Sequence, residues 1–235
     1  MSYDKIPKQM RTIRHCCEKV KPLRFISVGV ALLFWEALVC QWPASAAETI
    51  RTPGTFVHEF SHFSFPTNVG IAVRVSLDKY DKEGRDVSAG YNLSSRQMAV
   101  TVFVYPAPKN FAPLPQERIE SVSEAIVKRH FEQVKQDVQR KHSNAQISSE
   151  VAFDLKQEKM TRKGQRAVFS FEDRFAGLRQ PVQSELYLFM LEPDTMFLID
   201  ERFFVKFRVT YPAAEKESAE KEFQNFLKSL SWPTK

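Results

Sequence analysis

The chain has 235 residues, 43% hydrophobic and 12% aromatic, with 34 Lys/Arg against 28 Asp/Glu for a formal net charge of +6. Seven of those cations (Lys5, Lys8, Arg11, Arg14, Lys19, Lys21, Arg24) fall in the first 24 residues, and residues 1–46 hold only Asp4, Glu18 and Glu36 in return. Taking seven from 34 and three from 28 leaves 27 cations and 25 anions beyond residue 46, so the remainder lacks the concentrated basic face of a nucleic-acid-binding protein.

The basic start, the apolar run Phe25 to Cys40 and the small residues of Pro43-Ala44-Ser45-Ala46-Ala47 have the layout of an export leader. That layout predicts a signal peptide over 1–46 and a single exported, periplasmic domain over 47–235. Other outcomes stay open. Glu36 interrupts the run at a cost of about 2.5–3.5 kcal/mol at membrane depth, and Met10 could replace Met1 as the start. An uncleaved Phe25 to Trp42 is long enough to span as an inner-membrane anchor with the domain outside the cytoplasm. Ala37-Leu38-Val39-Cys40 is similar to a lipid-attachment box, although Val39 is bulky where such boxes take a small residue. All three cysteines (Cys16, Cys17, Cys40) lie in this leader. The exported part therefore has no disulfide, no thiolate nucleophile and no cysteine metal ligand, and must be stable by core burial alone. Its 189 residues suffice for one sizeable core.

Beyond the leader, period-2 alternation predicts a strand over 71–80, with Ile71, Val73, Val75 and Leu77 on one face and Ala72, Arg74, Ser76 and Asp78 on the other. Asp81-Lys82-Glu83-Gly84 reads as a turn. Strands over 86–93 and 99–105 follow, and Tyr105-Pro106 stops the second. After a Pro-rich loop to Pro115, Ile119, Val122, Ile126, Phe131, Val134 and Val138 recur at helical spacing and predict a long amphipathic helix from Gln116 to His142. Further strands are expected over 150–157, 166–172, 184–191 and 202–211, with Lys163-Gly164, Ala176-Gly177 and Pro193-Asp194 as turns. Ala219, Phe223, Phe226, Leu227 and Leu230 stripe a closing helix, Glu215 to Leu230. Strands, helix, strands, helix without regular alternation predicts an α+β domain: an antiparallel sheet flanked by one long and one C-terminal amphipathic helix, after the N-terminal signal or anchor helix. Phe103-Val104-Tyr105-Pro106-Ala107 and Arg208-Val209-Thr210-Tyr211-Pro212-Ala213 end the two runs alike, through a degenerate duplication or through the usefulness of Tyr-Pro as a strand stop.

Tyr80-Asp81 through Gly84, Asp86-Val87-Ser88-Ala89-Gly90-Tyr91 and Thr101-Val102-Phe103-Val104-Tyr105-Pro106-Ala107 resemble a group of uncharacterised exported bacterial proteins. The ending, a strand into Tyr211-Pro212 and then a helix with Phe226-Leu227 and Ser229-Leu230, is similar to the last elements of PsbP-like domains. The resemblance spans most of residues 55–232. It implies an antiparallel sheet with flanking helices and brings no catalytic residues.

One catalytic word is present. His58-Glu59-Phe60-Ser61-His62 fits H-E-x-x-H, in which a helix sets two imidazoles one turn apart on a zinc ion with the glutamate as base. On a strand the same histidines stand about 13 Å apart, too far to share a metal. Phe56, Val57, Phe60, Phe63 and Phe65 favour an extended segment and Pro66 closes it, so the expectation is a chance match in the first strand. His130 and His142 lie twelve residues apart on the long helix, and Asp200-Glu201-Arg202 reads as a turn. No P-loop, G-x-S-x-G or G-x-G-x-x-G occurs.

The expectation is a non-enzymatic cell-envelope domain without a cofactor that binds an envelope protein partner or a small apolar ligand between the sheet and the long helix, where Phe189, Phe197, Phe203 and Phe204 could line a groove or simply fill the core. It touches no nucleic acid, and a membrane only through an uncleaved N-terminal segment. The alternatives are a zinc hydrolase built on His58, His62 and Glu59, and a membrane-tethered assembly factor.

Overall fold

Strands rich in Val, Phe and Tyr, joined by short connections, fold back on their neighbours and so pair antiparallel. The computed structural model describes residues 47–93, 97–108, 119–142, 144–157, 160–175, 177–191 and 201–233. The leader, Phe197 and the Pro193-Asp194 turn lie outside them. In chain order the elements are β1 (Glu48–Thr49), β2 (Phe56–Val57), β3 (Ser64–Phe65), β4 (Asn68–Val69), β5 (Ala72–Lys79), β6 (Val87–Leu93), β7 (Met98–Pro106), α1 (Ile119–Lys141), β8 (Gln146–Gln157), β9 (Met160–Phe175), β10 (Leu178–Leu191), β11 (Phe203–Pro212), a 3-10 turn Ala213–Glu215, and α2 (Lys216–Ser229). Nine strands form one antiparallel sheet in the order β1-β5-β6-β7-β11-β10-β9-β8, with β4 also on β5; β2 and β3 make a separate small hairpin. The domain is α+β. Two meanders, β5 to β7 and β8 to β11, meet where β7 lies beside β11, Phe203 opposite Pro106 and Val209 opposite Val100.

The sheet has a core on each face because strand residues alternate sides. On one face Phe223, Phe226 and Leu227 of α2 pack with Trp232 over Tyr91, Tyr187, Phe189, Phe207 and Tyr211. On the other, Ile126, Val127, Phe131, Val134 and Val138 of α1 pack over Phe169, Phe171, Leu186, Leu188 and Phe204. Phe189, Phe203 and Phe204 are thus fully enclosed and line no groove.

Two sequence expectations fail for reasons outside the local pattern. Lys163-Gly164 is not a turn: Gly164 sits inside β9, opposite Phe153 of β8 and Phe189 of β10. A Cβ there would come within 2.6 Å of the Leu188 carbonyl oxygen and of the Phe189 ring, so glycine is needed to seat an aromatic side chain and not to turn the chain. Nor do Ile71, Val73, Val75 and Leu77 share a buried face. A bulge between Arg74 and Ser76 shifts the register, Ala72 and Leu77 are the core residues, and Ile71, Val73 and Val75 stay 59%, 49% and 59% exposed. Arg74 has its own use: it donates to the carbonyls of Thr52 (3.2 Å), Gly54 (2.7 Å) and Phe65, tying the segment ahead of β5 to the sheet edge.

Candidate functional site

His58, Glu59 and His62 lie in the loop of the β2–β3 hairpin, where an isolated turn links the His62 amide to the His58 carbonyl (2.8 Å) and His62 takes a left-handed φ of 55°. The segment is neither the helix that zinc ligation requires nor one continuous strand. His58 is fully buried while Glu59 and His62 are exposed. The Ser61 amide donates to His58 Nδ1 at 3.1 Å, and an amide can only donate, so Nδ1 carries no proton; the Ser61 hydroxyl donates to it as well, at 2.6 Å. The proton is then on Nε2, which donates to the Gly84 carbonyl at 3.0 Å. Nδ1 is spent inside the hairpin loop and Nε2 ties that loop to the β5–β6 turn, with the ring edge-on to Phe203 at 5.2 Å. Among the described residues no three His, Cys, Asp or Glu side chains gather as a metal site.

A second cluster went unread in the sequence. Glu185, on β10 under α2, is buried at the meeting point of β9, β10 and β11. It accepts from the hydroxyls of Tyr187 (2.5 Å) and Tyr211, and from Arg166 Nε (2.8 Å) and Nη2 (2.7 Å). Arg166 continues to Glu220 of α2 at 3.0 Å, closing a notch of about 340 Å³ lined also by Phe153, Glu217 and Lys221. Burial opposes the Arg166 charge, but Tyr187 and Glu185 outweigh it and hold the guanidinium basic. Burial pushes both tyrosine hydroxyls well up, and Glu185 adds to this. Both carboxylate oxygens and the Nε–Nη2 edge of the guanidinium are engaged, so the cluster reads as a bolt between sheet and helix. A lone carboxylate directly ahead of the apolar run Leu186 to Leu191 was the signal available to find it.

Among the described residues, the face under α1 is only half covered. The α1 core takes no residue from β5 or β6 and only Tyr105 and Ala107 from the β7 side. What stays open is a floor of small and half-exposed side chains (Gly90, Ala99, Thr101, Phe103) that runs out to Val73 and Val75. A Cβ on Gly90 would lie 2.8 Å from Ser76 Oγ and 3.6 Å from Val75, which places the bulged Val75 on this same face. Its wall is one flank of α1, where His130, Gln133, Asp137 and Lys141 recur at three- and four-residue steps. His130 stacks on Phe204 (4.4 Å) and shares a hydrogen bond of 2.9 Å with the Tyr105 hydroxyl. Beyond the helix end, His142 stacks on Phe171 (4.2 Å) and accepts from Arg208 at 3.1 Å. At the foot of the wall, Lys206 and Arg208 of β11 are both held below their ordinary basicity, by burial first. Asp86, on the β5–β6 connection, is pushed up to about 6 by burial, with Asp81 adding and Lys206 opposing.

These shifts predict a pH profile. His58, His130 and His142 are each held below 6.5 chiefly by burial. Below 6.5 the unfolded chain takes up protons that the folded chain refuses, so their contribution to stability is complete above 6.5 and is lost as the pH falls beneath it. Asp86 acts in the opposite sense: its folded value exceeds the unfolded 3.8, so its penalty is complete above about 6 and fades towards 3.8. Urea midpoints should therefore fall between pH 6.5 and 5.5. Asp86→Asn should add about 1 kcal/mol at pH 7.5, allowing for solvent screening, and progressively less towards pH 4. A midpoint flat from pH 7.5 to 5.5 would show that the three imidazoles are not held neutral by the fold.

No protein-family model matches this chain, and a search of curated proteins also finds no match.

Proposed function

We propose that residues 47–235 form a non-enzymatic domain of the bacterial cell envelope, exported by the leader, that binds a protein partner on the uncovered half of its sheet. The observation that carries this reading is the pair of half-exposed β-branched residues Val73 and Val75, with Ile71 near them in the chain, on the part of the α1 face where β5 and β6 give no residue to the helix's core. Apolar side chains grouped on one sheet face are what a partner's surface would cover. A sheet face suits a protein better than the small apolar ligand, which needs a concave site to bury most of its surface. Of the aromatic side chains expected to line such a pocket, Phe189, Phe203 and Phe204 are spent in the core. A partner presenting its own apolar face would cover the valines and leave the polar flank of α1 at the rim.

A photo-crosslinking residue in place of Val73 or Val75, in the full chain expressed in its own envelope, should give one discrete, mass-identifiable protein adduct, absent when the probe replaces exposed Asn225 of α2. No adduct, or the same adducts from all three positions, would overturn the partner reading. Zinc analysis of the same preparation separates the hydrolase alternative. Less than about a tenth of an equivalent is expected, because His58 has no nitrogen left for a metal.

A further inference from the structure

Lys206 and Arg208 stand two residues apart on one face of β11, about 6.7 Å along the strand, and both are half-buried. The Lys206 ammonium rests 4.1 Å from the centre of the Phe103 ring and 5.3 Å from that of Tyr105, contacts that attract its charge and leave hydrogen-bond capacity over. Arg208 gives one Nη2 hydrogen to His142, while its Nε is buried with no acceptor. Donors exceed acceptors here. The acids that face the pair act through space: Asp86 and Asp137 on Lys206, Asp173 on Arg208. Two of them are engaged elsewhere, since Asp137 pairs with Arg140, and Asp173 accepts from the Arg174 amide and faces His142. Lys141 brings a third cation close enough for Arg208 to depress its basicity. Partly desolvated cations without a contacting counter-ion are costly, and a ligand that supplies one recovers that cost.

We propose that Lys206 and Arg208 form a binding site for a ligand carrying an oxyanion, a carboxylate or a phosphate, which enters along the open floor between α1 and β6. The guanidinium carries hydrogens beyond the one given to His142, and the ammonium offers a mobile second donor. Phe103 and Tyr105 flank the Lys206 ammonium, and the Tyr105–His130 bond fixes the tyrosine beside it. All three cations are less basic than usual, the shift a bound anion reverses. The site does not depend on a protein partner at Val73 and Val75.

The test follows the imidazole NMR signals of His142 and His130 in the purified exported protein at constant ionic strength, during additions of sodium phosphate, sodium octanoate or octanol. A saturable shift at His142 with phosphate or octanoate, and none with octanol, is expected. Saturation by phosphate assigns a free oxyanion as sufficient; saturation by octanoate alone assigns an anionic head that needs its apolar tail. Lys206→Met and Arg208→Met should each weaken that binding roughly tenfold or more, the loss expected for one charged hydrogen bond. Both variants remove a half-buried charge and should stay folded; should Arg208→Met unfold with loss of its His142 bond, Lys206→Met carries the comparison. Shifts that never saturate, or that are unchanged in Lys206→Met, overturn the site.

Discussion

Glu185→Ala is expected to lower the thermal midpoint by about 10 °C. The carboxylate is the shared acceptor of two buried tyrosine hydroxyls and a guanidinium. Removing one side of a buried charged pair costs about 3–5 kcal/mol because the partner stays behind unpaired. Arg166 is partly solvated and keeps Glu220, which puts the effect near the lower end of that range. In a domain of this size each kcal/mol moves the midpoint by about 2–4 °C. Glu185→Gln keeps an acceptor for one tyrosine hydroxyl and loses the charge facing Arg166, so an intermediate drop is expected. Differential scanning calorimetry measures all three proteins; a Glu185→Ala midpoint within about 2 °C of the parent would mean that the cluster contributes nothing to holding the sheet.

Phe223→Ala should cost as much or more by a different route. Its side chain is almost fully enclosed, with ring centres 4.8 Å from Tyr187, 5.9 Å from Phe207 and 6.0 Å from Phe226. Truncating a core phenylalanine removes transfer free energy and leaves a cavity, together about 3–5 kcal/mol. Glu217→Ala, on the first turn of the same helix, should stay within about 0.5 kcal/mol. Urea unfolding followed by near-ultraviolet circular dichroism separates the two outcomes; equal midpoints for both variants would mean that α2 is not docked on the sheet. Tyr187 ties the two experiments together, because its ring meets Phe223 while its hydroxyl serves Glu185. The double variant should therefore lose less than the sum of the single losses.

The α+β architecture was legible because it rests on short-range patterns. The 3.6-residue stripe of Ile126, Phe131, Val134 and Val138 produced α1, and Phe223, Phe226 and Leu227 produced α2 with bounds within a residue or two. Period-2 alternation located β5, β6, β7 and β11 nearly to the residue, whereas β8, β9 and β10 run longer than their apolar cores suggest. The extra length is built largely by polar and charged residues, such as Lys163 in β9 and Arg179 in β10, that pair with a neighbouring strand and bury little. Propensity undervalues such residues because the ladder, and not the side chain, keeps them extended. Gly164 misled for a related reason: a glycine that turns the chain and a glycine that seats a facing ring look alike in one dimension.

The candidate sites divide along the same line. H-E-x-x-H is a word whose chemistry depends on a backbone shape that five residues do not impose, and the hairpin loop spends His58 on the Ser61 amide and the Gly84 carbonyl. Lys206 and Arg208 stood in plain sight within Phe203-Phe204-Val205-Lys206-Phe207-Arg208-Val209, two cations alternating with core residues. Nothing local said whether their face would meet water, a helix or a ligand.

By itself the sequence determined what local chemistry can settle: a basic N-terminal stretch set apart from a nearly neutral remainder, the absence of cysteine beyond it, the two amphipathic helices and the strand runs that precede each of them. Only the tertiary structure decided which faces are covered. The bulge at Arg74 to Ser76 turned Val73 and Val75 outward, α1 settled over β9 and β10 and took no core residue from β5 or β6, and Glu185 became the shared partner of three side chains from three strands. Those outcomes depend on register and on packing between residues far apart in the chain, and a one-residue slip in a strand reverses inside and outside without altering the pattern from which the strand is read.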